Sequence, residues 1–180
     1  MGGLIFSLKG GYSKMNYAEL REYDVSNWSG INSTIFFSGC THNCKGCFNK
    51  VAQDFNYGKL YTKEIEDLFV SYIKDEHING ACILGGEPFQ QDLDILLNLV
   101  KRIKEETGKP IYIWSGYLWE KLIKDKKKLE ILQYVDVIID GQFEEDKKDL
   151  KLKHKGSSNQ REIDVQKSLL NGGIVLYGME

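Results

Sequence analysis

The run Thr34-Ile-Phe-Phe-Ser-Gly-Cys-Thr-His-Asn-Cys-Lys-Gly-Cys-Phe48 joins a short apolar strand to a cysteine cluster through one glycine, Gly39. Thr34–Ser38 has the length and the β-branched, aromatic character of a buried strand. Three of the chain's four cysteines, Cys40, Cys44 and Cys47, then follow within eight residues in a C-x3-C-x2-C pattern. Thiolates this close converge on one metal centre more readily than they pair into disulfides among themselves. Iron–sulfur clusters are held by such thiolates, normally four to a four-iron cluster. Three would leave one iron open, and an open metal position lets a small molecule bind and react there. Two other readings use the same residues. A structural zinc site pairs two C-x2-C halves or adds histidines at set spacings, whereas only His42 lies inside this loop and His77 and His154 are isolated. A redox-active thiol pair is the other. Cys82 is the candidate fourth ligand, but it lies in Ala81-Cys-Ile-Leu84, where a free cysteine packs as a small hydrophobe. It is read as core.

Outward from this loop the apolar pattern alternates between strands and amphipathic helices. Ile65, Leu68, Phe69, Tyr72 and Ile73 fall at helical spacing. Ala81–Leu84 reads as the second strand. Leu93, Leu96, Leu97 and Val100 repeat the helical spacing, with Asp92 as N-cap and Gly108 and Pro110 as the stop. Ile111–Trp114 is a third strand, Leu118–Leu132 a lysine-rich helix and Val135–Ile139 a fourth strand. Strands alternating with helices predict right-handed crossovers and a parallel sheet.

In such architectures working residues gather where strands end. Gly39-Cys40, Gly85-Gly-Glu-Pro88, Ser115-Gly-Tyr117 and Asp140-Gly141 each follow a strand, so the pattern predicts four motifs on one rim. At 180 residues the chain is short of the roughly 250 of a full barrel. The expected fold is therefore α/β, a partial, open parallel (β/α) barrel. A doubly wound sheet is the rival, without a G-x-G-x-x-G after the first strand. Glycines at 85 and 86 let a ligand approach the backbone closely, and the Glu87 carboxylate can accept from an ammonium group. A strand-to-helix turn starting with an acid would use the same residues.

The composition narrows the class of partner. Hydrophobic content is 42% and formal net charge −2, which supplies no basic field for nucleic acid. No apolar run approaches the ~20 residues that span a bilayer. Met1–Lys14 lacks the pattern of a signal peptide and is read as an N-terminal extension or cloning remnant, with Met15 an alternative start. Residues 15–180 are read as a single domain. Clustered cysteines without an export signal point to a reducing cytoplasm.

Taken together, C-x3-C-x2-C followed by Phe48, with G-G-E-P one strand later, resembles the radical S-adenosylmethionine (SAM) superfamily. Trp114-Ser-Gly-Tyr117, Val135-Asp-Val-Ile-Ile-Asp-Gly141 and Lys155-Gly-Ser-Ser-Asn-Gln-Arg161 further resemble the W-S/T-G-Y, V-D-V-I-I-D-G and R-G-S-S-N-Q-R segments of the activases of anaerobic ribonucleoside-triphosphate reductase. The likeness runs from about Asn16 to Arg161. It implies the radical SAM type of open barrel, and that Cys40, Cys44 and Cys47 ligate a [4Fe-4S] cluster whose open iron chelates SAM. It also implies that Gly85, Gly86 and Glu87 hold the SAM amino group, Ser115 the ribose, and Gly46, Cys47 and Phe48 the adenine, with Asp140 also on the cofactor side. The implied reaction is reductive cleavage of SAM to a 5′-deoxyadenosyl radical, which takes hydrogen from a glycine of the large reductase subunit. The implied electron donor is flavodoxin or another low-potential reductant, and no general base is required. Another glycyl-radical activase, or a small-molecule radical SAM enzyme, would share the cluster residues.

The chain departs from this pattern where Asn27-Trp-Ser-Gly-Ile-Asn32 replaces the family's N-G-P-G-x-R. Ile174–Tyr177 is read as a packed edge strand and Glu144–Lys155 as a solvated face.

Overall fold

The apolar runs do become the centre of a sheet, and strands that the periodicity does not announce extend it on both sides. The computed structural model describes residues 15–178, so the reading of residues 1–14 lies outside the described residues. The elements are β1 (Asn16–Asp24), β2 (Asn32–Phe37), β3 (Lys59–Leu60), α1 (Lys63–Lys74), β4 (Gly80–Gly85), α2 (Leu93–Thr107), β5 (Ile111–Ser115), α3 (Trp119–Leu122), α4 (Lys126–Leu132), β6 (Val137–Asp140), β7 (Arg161–Asp164) and α5 (Val165–Asn171). One seven-stranded sheet has the order β3-β1-β2-β4-β5-β6-β7. Its centre, β2-β4-β5-β6, is parallel, while β1, β3 and β7 pair antiparallel. The sheet is open, with β3 and β7 at its edges. The expected purely parallel ladder is thus corrected to a mixed one. Among the described residues no helix is long and apolar enough to cross a membrane.

Parallel strands buried on both faces read as near-continuous apolar runs, and here the two faces separate cleanly. Ile35, Phe37, Ile83, Ile111, Ile113 and Ile138 pack with Phe69, Ile73, Leu96, Leu99 and Ile103 in the main core. Phe36, Cys82, Leu84, Tyr112, Val137 and Ile139 form a smaller cluster on the opposite face with Trp28. The α2 boundaries follow the expected signals: the Asp92 carboxylate accepts from the N–H groups of Asp94 and Ile95, and Gly108 ends the helix at φ 65°.

Three expectations change. The helix expected over Leu118–Leu132 is two, because the Asp125 side chain caps a new start by accepting from the N–H groups of Lys127 and Lys128. On α1, Leu68 is exposed while Glu66 is buried, since Glu66 meets the Arg102 guanidinium at 3.0 Å. Ile174–Tyr177 is not a regular strand. It meets β7 through one antiparallel bridge, Ile163 to Leu176, flanked by hydrogen bonds from Asp164 to Val175 and from Tyr177 to Glu162. Leu176 packs on the core, but Ile174 and Tyr177 are exposed.

Candidate cofactor site

The cysteine loop begins where β2 ends. Gly39 takes φ +108°, and a Cβ there would stand 2.2 Å from the Phe55 ring, so only glycine makes this turn. The Gly39 N–H donates to the Ala52 carbonyl (2.8 Å) and the Cys40 N–H to that of Gln53 (3.0 Å), which ties the loop to the short 3-10 turn Lys50–Gln53. Between these anchors the chain winds through left-handed conformations at Asn43 (φ 51°) and Gly46 (φ 71°), and the Cys47 N–H closes onto the Cys44 carbonyl. Cys40, Cys44 and Cys47 are half-buried free thiols.

All three line one cavity of about 490 Å³, together with Phe48, Gly85, Gly86, Glu87, Ser115 and Gly116. Three of the four expected strand ends therefore contribute several residues each to one cavity wall, and the fourth contributes Gly141. Among the described residues no three His, Cys, Asp or Glu side chains close around a point as the ligands of a single metal ion do; the thiols border a shared space instead. Burial, then the neighbouring charges of Glu87, Cys44 and Cys47, pushes the Cys40 thiol up to about 11 against the backbone contact at His42. Burial also raises Cys44. Sulfurs so placed lose their protons together when a metal centre takes them as ligands, so the donor set fits a cluster. Cys82 is fully buried in the sheet, does not line the cavity, and burial drives its thiol well above the usual range.

Glu87 is only 1% exposed, and four donors reach its carboxylate. Oε1 accepts from the Phe89 N–H (3.1 Å) and the Ser115 hydroxyl (2.9 Å). Oε2 accepts from the Gly116 N–H (2.7 Å) and meets His42 Nε2 at 3.0 Å. Ser115 Oγ in turn accepts from the Tyr117 N–H. Asp140 lies apart from the cavity wall: it is fully buried, and its carboxylate accepts from the Trp119 N–H (2.7 Å) and from Arg161. Arg161 also makes two 3.0 Å bonds to Glu120, and these partners, Asp140 first, raise its pKa. Asp140 thus has a full set of structural partners and is not among the residues that line this cavity.

A family profile described as a 4Fe-4S single cluster domain matches residues 26–163. The anaerobic ribonucleoside-triphosphate reductase-activating protein of Pasteurella multocida is 40% identical over 150 residues, covering 81% of this chain and 95% of that protein. The proteins of the same name from Escherichia coli K12 and Enterobacteria phage T4 are each 37% identical, covering 81% and 82% of this chain and 96% and 92% of theirs. The chain belongs to this activating-protein family. The resemblance drawn from the motifs is therefore correct, and the zinc and thiol-redox readings fall away.

In this family member the segment after β6 supplies a wall that the periodicity did not indicate. Gln142, Phe143, His154 and Gly156 line the cavity, and Phe143 meets the half-exposed Phe48 edge-on at 5.1 Å. The G-S-S-N-Q-R motif fastens this strap. Gln160 Oε1 accepts from the N–H groups of Gly156 (2.9 Å) and Ser157 (3.2 Å), its Nε2 donates to the Gly141 carbonyl (3.0 Å), and Asn159 donates to that of Gln142 (2.8 Å). Glu144–Lys155, read as a solvated face, is exposed along most of its length, yet its end turns inward at His154. The one available signal was the motif itself, because a run of Ser, Asn and Gln beside glycine bonds local backbone readily.

The departure at Asn27–Asn32 also has a structural account. Trp28 stacks on Tyr112 (4.4 Å) and His154 (3.9 Å). The Asn32 amide donates to the carbonyls of Trp28, Ser29 and Gly30, each at 3.3 Å. Asparagine thus braces the turn from within.

Proposed function

We propose that the protein activates anaerobic ribonucleoside-triphosphate reductase by installing a glycyl radical in its large subunit, working in the cytoplasm with electrons from flavodoxin or another low-potential reductant. The carrying observation is the joint lining of one cavity by three half-buried thiols and the Gly85–Glu87 and Ser115–Gly116 strand ends. When bound, a [4Fe-4S] cluster and SAM supply the chemistry, a reductive cleavage of SAM whose 5′-deoxyadenosyl radical takes hydrogen from the target glycine.

The protein's own residues bind, orient and shield. Cys40, Cys44 and Cys47 would hold the cluster. The Gly85–Gly86 backbone, beside Glu87, would accept from the amino group of SAM, Ser115 would stand at the ribose, and Gly46–Phe48 would flank the adenine. Phe48 and Phe143, with Phe36, Leu84 and Trp114, form the apolar part of the wall, which would limit the access of water to the bound cofactor. The open sheet supports a partial barrel of the radical SAM type, whose unclosed side admits a loop of the partner protein. No residue needs to act as a general base, because the abstraction moves a hydrogen atom.

The test is anaerobic. The protein is reconstituted with iron and sulfide, reduced, and mixed with SAM and the reductase large subunit. The expected result is 5′-deoxyadenosine together with a glycine-centred doublet in the electron paramagnetic resonance spectrum. Cleavage of SAM without a reductase radical would place the protein with a different partner.

A further inference from the structure

The His42 side chain reaches from the cluster loop across to the ends of the neighbouring strands. It lies between two cluster cysteines, yet its ring points away from solvent, with its side chain 10% exposed. Nε2 faces Glu87 Oε2 at 3.0 Å, and Nδ1 faces the Gln142 amide nitrogen at 3.1 Å. A carboxylate only accepts and an amide NH₂ only donates, so these partners together assign the neutral ring with hydrogen on Nε2. The ring also meets Tyr117 edge-on at 4.6 Å. Gly116 is shaped around it, since a Cβ there would stand 2.5 Å from His42 Cδ2. The next residue back extends the same link: the Thr41 N–H donates to Gln90 Oε1 (2.7 Å), and Gln90 Nε2 donates to the Tyr117 hydroxyl (3.1 Å).

The carboxylate of Glu87 is the hub of this arrangement. An ionised carboxylate has about four acceptor positions, and Phe89, Ser115, Gly116 and His42 fill four. Two donors come from the β5 end and one from the cysteine loop. A buried charge held by several donors of fixed direction is a rigid joint, because losing any one donor leaves part of the charge unpaired.

We infer that His42 is a positioning residue: through Glu87 it bolts the cysteine loop to the ends of β4 and β5, and so sets the three thiols relative to the Gly85–Gly86 backbone. This deepens the proposed function and rests on it, because that backbone is where the amino-acid end of SAM is placed. Glu87 acts mainly as the hub of the bolt, and Gly116 is the glycine the bolt requires. His42 touches neither substrate nor reacting atoms in this role.

The inference is tested on the full chain, reconstituted anaerobically, as wild type, His42→Ala, His42→Gln, Glu87→Gln, the double variant His42→Ala/Glu87→Gln, and Gly116→Ala. Iron content, SAM affinity by calorimetry, and the change in the reduced-cluster resonance spectrum on adding SAM are read for each. His42→Ala is expected to keep its iron and lose about tenfold in SAM affinity, the size of one charge-assisted hydrogen bond, with a weakened spectral response. His42→Gln, which restores an N–H donor, recovers most of both. The double variant is no worse than the weaker single one, and Gly116→Ala, which displaces the ring, behaves as His42→Ala does.

Loss of iron in His42→Ala but not in His42→Gln also supports the bolt. Equal loss in both overturns it, as does wild-type SAM affinity and spectral response in His42→Ala, or additive losses in the double variant. Absence of SAM binding by the wild-type protein would instead overturn the proposed function, which keeps the two failures distinct.

Discussion

The two faces of the central sheet are built from the same four strands and do different work. One face carries Ile35, Phe37, Ile83, Ile113 and Ile138 under α1, α2 and α4, and is sealed by aliphatic packing. The other carries Phe36, Leu84, Tyr112 and Trp114 with Trp28, is more aromatic, and is covered by loops. A helix laid along a sheet buries its apolar stripe continuously, so the first face leaves no room for a ligand. Loops reach the second face only at intervals, held by single hydrogen bonds such as that from Trp114 Nε1 to the His154 carbonyl (2.6 Å). The cavity opens between them. The larger apolar core lies on the helix face and the cavity on the loop face, and the two can be separated experimentally.

The sharpest test of that separation uses the cysteines, which divide three to one. Replacing Cys40, Cys44 or Cys47 singly with alanine should abolish the cluster, read as iron content and visible absorption after anaerobic reconstitution. Cys82→Ala should retain it. An empty site in Cys82→Ala would place the fourth cysteine among the ligands and end the distinction.

Next in size is Phe69→Ala, on α1 at the helix-covered core. Phe69 is fully buried, and a Phe→Ala change in a core costs about 3–5 kcal/mol. Denaturant unfolding should show that loss, while the surviving folded fraction binds iron at full stoichiometry. Reduced stoichiometry in the folded protein would mean that the two faces are coupled.

Arg161→Met should come third. It removes the charged partner of Asp140, which is fully buried, and an abandoned buried charge costs on the order of 3 kcal/mol, less here because Arg161 is partly exposed and the Trp119 N–H remains. Limited proteolysis should then cut the 142–160 strap well before the sheet. If instead the strap keeps its protection, the β6–β7 clasp is not what fastens it.

The smallest effect concerns pH, at the β1 end of the loop face. Burial alone would raise the Asp24 carboxyl, but hydrogen bonds from Ser26, Thr34 and Asn27 outweigh it and hold the group below its ordinary value of 3.8. A depressed folded value means that this stabilisation is present above the ordinary value and is lost as pH falls through the folded one. Asp24→Asn should therefore cost about 1 kcal/mol at neutral pH and flatten the acid limb of stability. An unchanged acid limb would assign acid sensitivity elsewhere, for instance to Glu106, which the Lys74 and Arg102 contacts also hold low.

Much of this architecture was legible because it depends on near neighbours in the chain. The strand cores at Thr34–Ser38, Ala81–Leu84 and Ile111–Trp114 announced themselves through continuous burial, and α2 through a cap, a stripe and a glycine stop. The strands β1 and β7 did not. The burial of β1 barely alternates, and β7 is four residues long, so each owes its conformation to the edge it joins rather than to its own pattern. Asp125, which splits the expected long helix, is a strong cap hidden among lysines with good helix propensity.

The site divides in the same way. The sequence by itself determined that three thiols can share one centre, since sulfur ligands three and four residues apart can do so whatever surrounds them, and it indicated that glycine-rich strand ends would meet on a rim. Only the tertiary structure decided which polar atoms are spent on one another. It paired Asp140 with Arg161, filled the acceptor positions of Glu87, and brought Gln142 to His42 across 100 residues of chain. Those choices depend on distances between residues remote in sequence and on burial, which makes an unpaired charge costly. A one-dimensional pattern carries neither.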